Sequence, residues 1–218
     1  MGNVPRVKTS RQYDSRGRLE RARKHREIIL DVARREFLKR GYAATTISAI
    51  ARKAKVSMET VYKGFGGKPG LVRALHDRDL AGRGPVPAPQ RSDEMSAREQ
   101  NPRQILRNWG ALASEVTPLV APMMLLVREA AASDPELAAL VHDIDARRLT
   151  RMRHNAKVLA DRGFLRRGVS VQHAADVMWT LTAAELYELL VIRRGWTPAR
   201  FGEFIAATMI AAFLPETA

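Results

Sequence analysis

Between Thr45 and Lys68 the chain reads TTISAIARKAKVSMETVYKGFGGK, and its polar side chains are of kinds that contact nucleic acid. Met58, Glu59, Thr60, Tyr62 and Lys63 lie within a few residues of one another. A glutamate can accept a hydrogen bond from cytosine N4, and a lysine can donate to guanine or to a phosphate oxygen. Such chemistry needs the side chains carried on a rod that fits a major groove, and a short helix is such a rod.

The flanking residues are those that would build it. Ile47, Ile50, Ala51 and Ala54 recur at i, i+3, i+4 and i+7, which predicts a short amphipathic helix. Thr45 or Thr46 is placed to cap its first free amides. Ala54-Lys55-Val56-Ser57 is too short for a loop with structure of its own, and Ser57 is a good N-cap for a second helix with Val61 and Phe65 four apart. Two short helices joined by a tight turn form a helix-turn-helix, with the N-terminal residues of the second facing base edges.

In order and spacing, Gly41-Tyr42, Thr45-Thr46, Ile50-Ala51, Ala54, Val56-Ser57, Val61-Tyr62, Phe65, Lys68 and Leu71 resemble the DNA-binding signature of the tetracycline-repressor-type (TetR) regulators. The resemblance covers about a quarter of the chain. Lys55 stands where that family usually has a turn glycine, so it must reach the turn conformation without glycine's freedom. Gly64 and Gly66-Gly67 replace bulkier or capping residues, which predicts a looser end to the second helix. The resemblance implies an all-α protein: an N-terminal three-helix, helix-turn-helix domain followed by a C-terminal helical bundle, about nine helices in total. It also implies a double-stranded DNA operator, with Thr46, Ser57, Tyr62 and Lys68 on phosphates and Met58, Glu59, Thr60 and Lys63 facing the groove.

Charge agrees with an anionic partner. The formal net charge of the 218 residues is +14. Residues 1–80 hold 20 Lys and Arg against 8 Asp and Glu, while the remaining residues hold 17 against 15. A basic region beside a near-neutral one is the footprint of phosphate binding. Biased codon usage could account for 29 Arg against 8 Lys, but not for the shortage of acidic residues in the first third alone.

Four regions are expected. Residues 1–18, polar and basic, read as a disordered arm, whose Arg6, Lys8, Arg11, Arg16 and Arg18 could follow a DNA backbone. Residues 19–80 form the DNA-binding domain, with helix one over about Leu19 to Lys39 and helix four over about Lys68 to Leu80. Gly82 to Pro89 holds two Gly and three Pro and marks the boundary, so 81–100 reads as linker. Residues 101–218 are helical throughout: one helix from Asn101-Pro102, another from Thr117-Pro118, a long one from Ser133-Asp134-Pro135 to Gly163, one over 170–194, and a last one from Thr197-Pro198.

The last two helices are apolar over more of their circumference than a monomer surface needs. Their packing against symmetry mates would form a four-helix, two-fold interface through Leu186, Leu190, Phe204, Ile205, Thr208 and Met209. The resembling family dimerises this way. That family also arranges the helices bearing Trp109, Met123, Met124, Val127, Met178, Trp179 and Tyr187 around an effector cavity, which implies a small apolar ligand. Glu185 and Glu188, within an otherwise apolar helix, could orient a cationic or hydroxylated one.

Other chemistry finds little support. There is no cysteine, which excludes disulfides, thiol catalysis and cysteine-based zinc sites. The five histidines are scattered, and His142 with Asp143 and Asp145 reads as a solvated helix face rather than a metal cluster. Gly64, Gly66 and Gly67 before Lys68 follow a helix, not the strand a phosphate loop requires. No catalytic constellation, metal site or cofactor is expected. Phe204 to Leu214, the longest nearly apolar run, is too short to span a bilayer, and no segment resembles a signal peptide, so a cytoplasmic protein is expected. The leading reading is a homodimeric repressor released from a palindromic operator by an effector. The alternative is an architectural DNA-binding protein without one, and an all-α enzyme ranks below both.

Overall fold

The computed structural model describes residues 10–216. Among them are ten α-helices and no strand. Contacts divide the chain into two units, Met1–Leu71 and Val72–Ala218.

The first unit begins with α1, Ser10–Arg40. Its stripe of Ile29, Leu30, Val32, Ala33 and Phe37 is buried, and the Phe37 ring stacks on Tyr42 at 5.5 Å. Burying each of the larger side chains among them is worth about 1.5–3 kcal/mol. Helix α1 starts well before Leu19, so residues 10–18 of the expected arm are helical. Once a helix is nucleated, each further residue adds a hydrogen bond for one conformational restriction, and no proline lies in that stretch to stop it. Residues 1–9, including Arg6 and Lys8, lie outside the described residues. Helices α2, Ile47–Ala54, and α3, Met58–Phe65, follow.

The division between units falls inside α4, Lys68–Ala81, rather than at residue 80. Ion pairs explain where its second half belongs. Arg73 meets Asp143 at 2.6 Å and Asp77 meets Arg147 at 3.5 Å, both pairs tying α4 to the helix over Pro135–Asp161.

The expected linker is instead largely helix, α5, Ala88–Arg98. Its prolines start the helix, where a missing amide hydrogen removes no bond. Arg91 makes a bidentate pair with Glu115 at 2.6 and 2.9 Å, and Trp109 Nε1 donates to Ser96 Oγ at 3.0 Å, so the segment is docked.

Helix α6, Pro102–Ala131, runs unbroken through Pro118 and Pro122, where two helices were expected. An interior proline costs about 3 kcal/mol. Burial outweighs it: Ile105, Leu106 and Trp109 before the prolines and Ala121, Met123, Met124 and Val127 beyond them are all buried. This helix is long and apolar enough to cross a membrane by length and composition, unlike the run considered from sequence. Its packing against α5 and against the helices over Pro135–Asp161, Ala184–Tyr187 and Pro198–Phe213 makes it the central helix of the bundle.

Helix α7 covers Pro135–Asp161, with Asp134 capping through Leu137 N. The single helix expected over 170–194 is three pieces: α8, Val171–Leu181; α9, Ala184–Tyr187; and a π-helical segment, Glu188–Arg193. The break falls at Thr182, whose hydroxyl donates to Met178 O at 2.9 Å and competes with the backbone ladder. The Trp179 carbonyl there accepts from Arg148, which also reaches Thr182 Oγ1 at 3.2 Å. Helix α10, Pro198–Phe213, lies along α6. A Cβ on Gly202 would stand 2.4 Å from Gly110 O, so the two backbones meet where only glycines fit.

Candidate nucleic-acid interface and bundle cavity

The short helices of the first unit are fixed by their ends. Ala49 N donates to Thr46 Oγ1 and Thr60 N to Ser57 Oγ, each at 3.1 Å, so both predicted caps are made. Ser57 and Thr60 hydroxyls also pair at 2.8 Å. Lys55 takes the turn in the left-handed region, φ 56° and ψ 42°, despite its side chain. Its strain is offset by a tight closure in which Val56 N donates to Ala51 O at 3.0 Å. The end of α3 is closed rather than loose: Gly66 (φ 77°) donates to Tyr62 O at 2.7 Å, and Gly67 follows at φ 137°. Both angles favour glycine, so the residues read as departures from the family pattern serve as the stop.

Of α3 only Val61 is buried. Met58 and Tyr62 are exposed by 52% and 54%, and Glu59, Thr60 and Lys63 are exposed beside them. Thr46 and Ser57, also exposed, stand at the helix starts. Lys68 differs: half-buried, its ammonium donates to Tyr42 O at 2.8 Å and lies 4.1 Å from that ring's centroid. It ties the start of α4 to the turn after α1.

Two positioning contacts escaped sequence reading. Arg26 of α1 donates to Gly64 O at 3.2 Å and packs over Phe65 at 4.5 Å, holding the end of α3. Glu36, 2% exposed, pairs with Lys53 at 2.5 Å and Arg40 at 3.2 Å, which clamps α2 to α1. The hydrogen bond from Lys53 holds its carboxyl below the usual carboxylate range. A glutamate between Arg35 and Phe37 on an apolar stripe was the available signal.

The second unit contains a cavity of about 280 Å³. Trp109, Met124 and Met178 line it as expected. Met123, Val127, Trp179 and Tyr187 do not. Met123 and Val127 are 1% and 0% exposed, turned into the packing around α6 rather than into the hollow. Tyr187 packs edge-on against Phe201 at 5.4 Å, and Trp179 is covered by the Arg148 guanidinium at 4.5 Å. A central helix is buried on several faces, so burial alone does not tell which face meets a void.

Polar groups on the wall were not foreseen. Arg128, Asp145 and Arg148 meet there, with Arg128 Nη2 2.7 and 2.9 Å from the two Asp145 oxygens and Arg148 Nη2 3.4 Å from one of them. Thr117, Asn155 and His76 also line it. Desolvation pushes the His76 pKa below its ordinary value, against the pull of Asp77 at 3.5 Å. Glu185 and Glu188 do not reach the cavity; they pair with Arg128 at 3.1 Å and Arg193 at 2.7 Å. Among the described residues no three histidine, aspartate or glutamate side chains gather as a metal site.

The expected dimer residues divide. Ile205 and Met209 are 1% and 3% exposed and line the chain's own cavity, so they have no surface left for a partner. Leu186, Leu190, Phe204 and Thr208 are half-buried. Leu189 and Ile192, not singled out from sequence, are the most open apolar side chains nearby, at 50% and 56%.

The capped helix-turn-helix and the helical bundle both have counterparts among known proteins. Residues 29–75 match the model of the bacterial regulatory proteins, tetR family. Over those residues, which run from α1 into α4, the chain is similar to that family. Over 58 residues it is 45% identical to the uncharacterized HTH-type transcriptional regulator YvkB of Bacillus subtilis (strain 168). That match covers 27% of this chain and 31% of the relative, so it spans less than a third of the curated protein's length. Solved structures extend the likeness of fold. A SmeT–triclosan complex superposes with a TM-score of 0.68 at 22% identity, over 88% of this chain and 93% of that one. Native NalD, the secondary repressor of the MexAB-OprM multidrug efflux pump in Pseudomonas aeruginosa, gives 0.68 at 19% identity over 90% and 100%.

Proposed function

We propose that this chain is a cytoplasmic, homodimeric transcriptional regulator, a repressor that leaves a palindromic operator when a small effector fills the bundle cavity. The observation that carries the reading is α3, held at both ends by its caps while it exposes Met58, Glu59, Thr60, Tyr62 and Lys63. Thr46, Ser57, Tyr62 and Lys68 hold phosphates, and Met58, Glu59, Thr60 and Lys63 read the groove. Leu189 and Ile192, with Leu186, Leu190, Phe204 and Thr208, supply the two-fold contact. The name of SmeT's complex, with triclosan, supports a cavity that takes a small molecule, and NalD's supports a repressor.

Release follows from differential binding. A ligand lowers operator affinity only by preferring the conformation whose recognition helices are mis-spaced. Helix α4 is the lever, since it is continuous from Lys68 to His76 and Leu80 on the cavity wall. A shift of about 1–2 Å is typical of such helix movements, and half-sites about 34–36 Å apart tolerate one spacing. A coupling of about 1–3 kcal/mol weakens operator binding about 5–150-fold, and operator weakens the ligand equally.

The test starts with a selection of bound sequences from random DNA, followed by titration of hydrophobic compounds against the labelled complex. Filling the cavity by Ala113→Trp should abolish the response and leave operator affinity and dimerisation near normal. Val127, buried away from the hollow, is the wrong place for that substitution. If compounds that bind the bundle all leave operator affinity unchanged, the repressor has no effector in this cavity.

A further inference from the structure

Resting on the reading of this cavity as the effector site, we propose that its ligand is an elongated amphipath with an acid group at one end and a hydroxyl or carbonyl at the other. The acid end is set by Arg128 and Arg148, two guanidiniums that share one carboxylate, Asp145. Arg128 Nε is buried with no hydrogen-bond partner among the described residues. Arg147 and Arg151 also line the cavity, but the carboxylates that neutralise them, Asp77, Asp143 and Asp93, are not on its wall. Among the described residues Asp145 is the one acidic side chain on the cavity wall. The charge left to meet a ligand comes from Arg128 and Arg148, since Arg147 and Arg151 have carboxylates of their own and Glu185, 48% exposed, lies off the cavity wall.

The other end is set by Thr117 and Asn155. Each is 8% exposed, each lines the cavity, and among the described residues neither side chain makes a hydrogen bond. Their polar atoms keep some accessible surface toward the hollow, so a ligand hydroxyl or carbonyl would take the place of water there. The two face a common level of the bundle. Helices α6 and α7 are joined by a three-residue turn and run antiparallel, with Arg128 paired to Asp145. Thr117 lies eleven residues back along α6, and Asn155 ten residues forward along α7. At 1.5 Å rise per residue both stand about 15 Å from the charged end. Between the two ends the wall is apolar, with Ala121, Met124, Met152 and Met178. A cavity of about 280 Å³ is at the small end of ligand sites, so the occupant is slender.

Calorimetry on the full chain without DNA tests this with four probes of equal length: ω-hydroxydodecanoic acid, dodecanoic acid, dodecanediol and dodecyltrimethylammonium, all below their micelle concentrations. The hydroxy acid should bind most tightly, about three- to tenfold better than dodecanoic acid, and at least about tenfold better than the diol. The ammonium compound should be weakest. Asn155→Leu, with Thr117→Val as a milder second variant, should erase the gain from the hydroxyl and keep that from the acid; Arg128→Met should do the reverse. Thermal melting checks that each variant is folded. Ammonium binding equal to the acid's, or variants that weaken all four probes alike, overturns the proposal. Operator release is read separately. The stated ranking without release retires the effector reading alone, whereas release indifferent to the acid group retires this one.

Discussion

In the first unit the candidate contact residues come from one run, Thr46 to Lys68, and are mostly exposed on short helices fixed at both ends. In the second, the polar groups of the cavity come from α4, α5, α6, α7 and the break after α8, and are gathered around one hollow of a bundle. An exposed reading face must be rigid in itself, so its hydroxyls cap helices and its glycines stop them. An enclosed site draws its rigidity from the packing around it, so its polar residues can stand anywhere in the sequence that the helix register brings to one hollow. Damage to packing should therefore reach the second site and spare the first.

The largest effect should come from the α6–α10 crossing. Gly202→Val would drive side-chain atoms into the Gly110 carbonyl, which a Cβ alone already approaches to 2.4 Å. Overpacking a backbone contact of this kind should cost about 3 kcal/mol, lowering the melting temperature by about 6–12 °C. Hydrogen exchange should show lost protection along α6 and α10, with α1 to α3 retained. Uniform loss across the chain would mean that the two regions are one cooperative unit and the contrast is false.

A smaller effect separates roles within the first unit. Lys68→Ala should weaken DNA binding to all sequences alike and reduce the salt slope by about one. Glu59→Ala should change which bases are preferred at comparable affinity. Because Lys68 also holds Tyr42, its loss should lower the stability of the domain as well, which melting without DNA would reveal. A Lys68→Ala variant with altered base preference, beside a Glu59→Ala variant without it, would reverse the assignment.

The same contrast explains what the sequence made legible. Thr46, Ser57 and the apolar spacing of α2 and α3 act over three or four residues, so local rules find them. Lys55 in the left-handed turn was foreseen as a departure, but its tolerance depends on the closure that Val56 completes. In the bundle the rules compete with packing. Pro118 reads as a helix start, yet burial on both sides carries α6 through it. Residues 170–194 read as one helix, but Thr182 and the distant Arg148 divide it. Met123 and Met124 are equivalent to any composition argument, and only the rotation of α6 sends Met124 to the cavity. Asn155 and Thr117 read as ordinary polar residues, because facing a cavity is a property of the surroundings.

The smallest expected effect is a pH dependence that belongs to the second unit. Burial holds His76 below its ordinary pKa, with Arg147 and Arg148 adding to the depression and Asp77 opposing it. The folded chain therefore keeps this imidazole neutral while the unfolded chain takes up a proton near pH 6.5. The unfolded state then binds more protons, and stability falls as pH drops from about 7 through 6.5, levelling once the folded His76 also protonates. Asp93 and Glu115 follow the same sign at lower pH: hydrogen bonds from Arg151 and Arg91 depress them, so their contribution is lost only below the ordinary carboxylate range. Two limbs should thus appear when melting temperature is plotted against pH, and His76→Gln should remove the upper one alone. In the first unit Glu36, whose carboxyl Lys53 depresses, contributes only to the lower limb. If His76→Gln leaves the drop between pH 7 and 6 intact, the enclosed histidine is already reached by solvent, and the cavity is more open than its wall suggests.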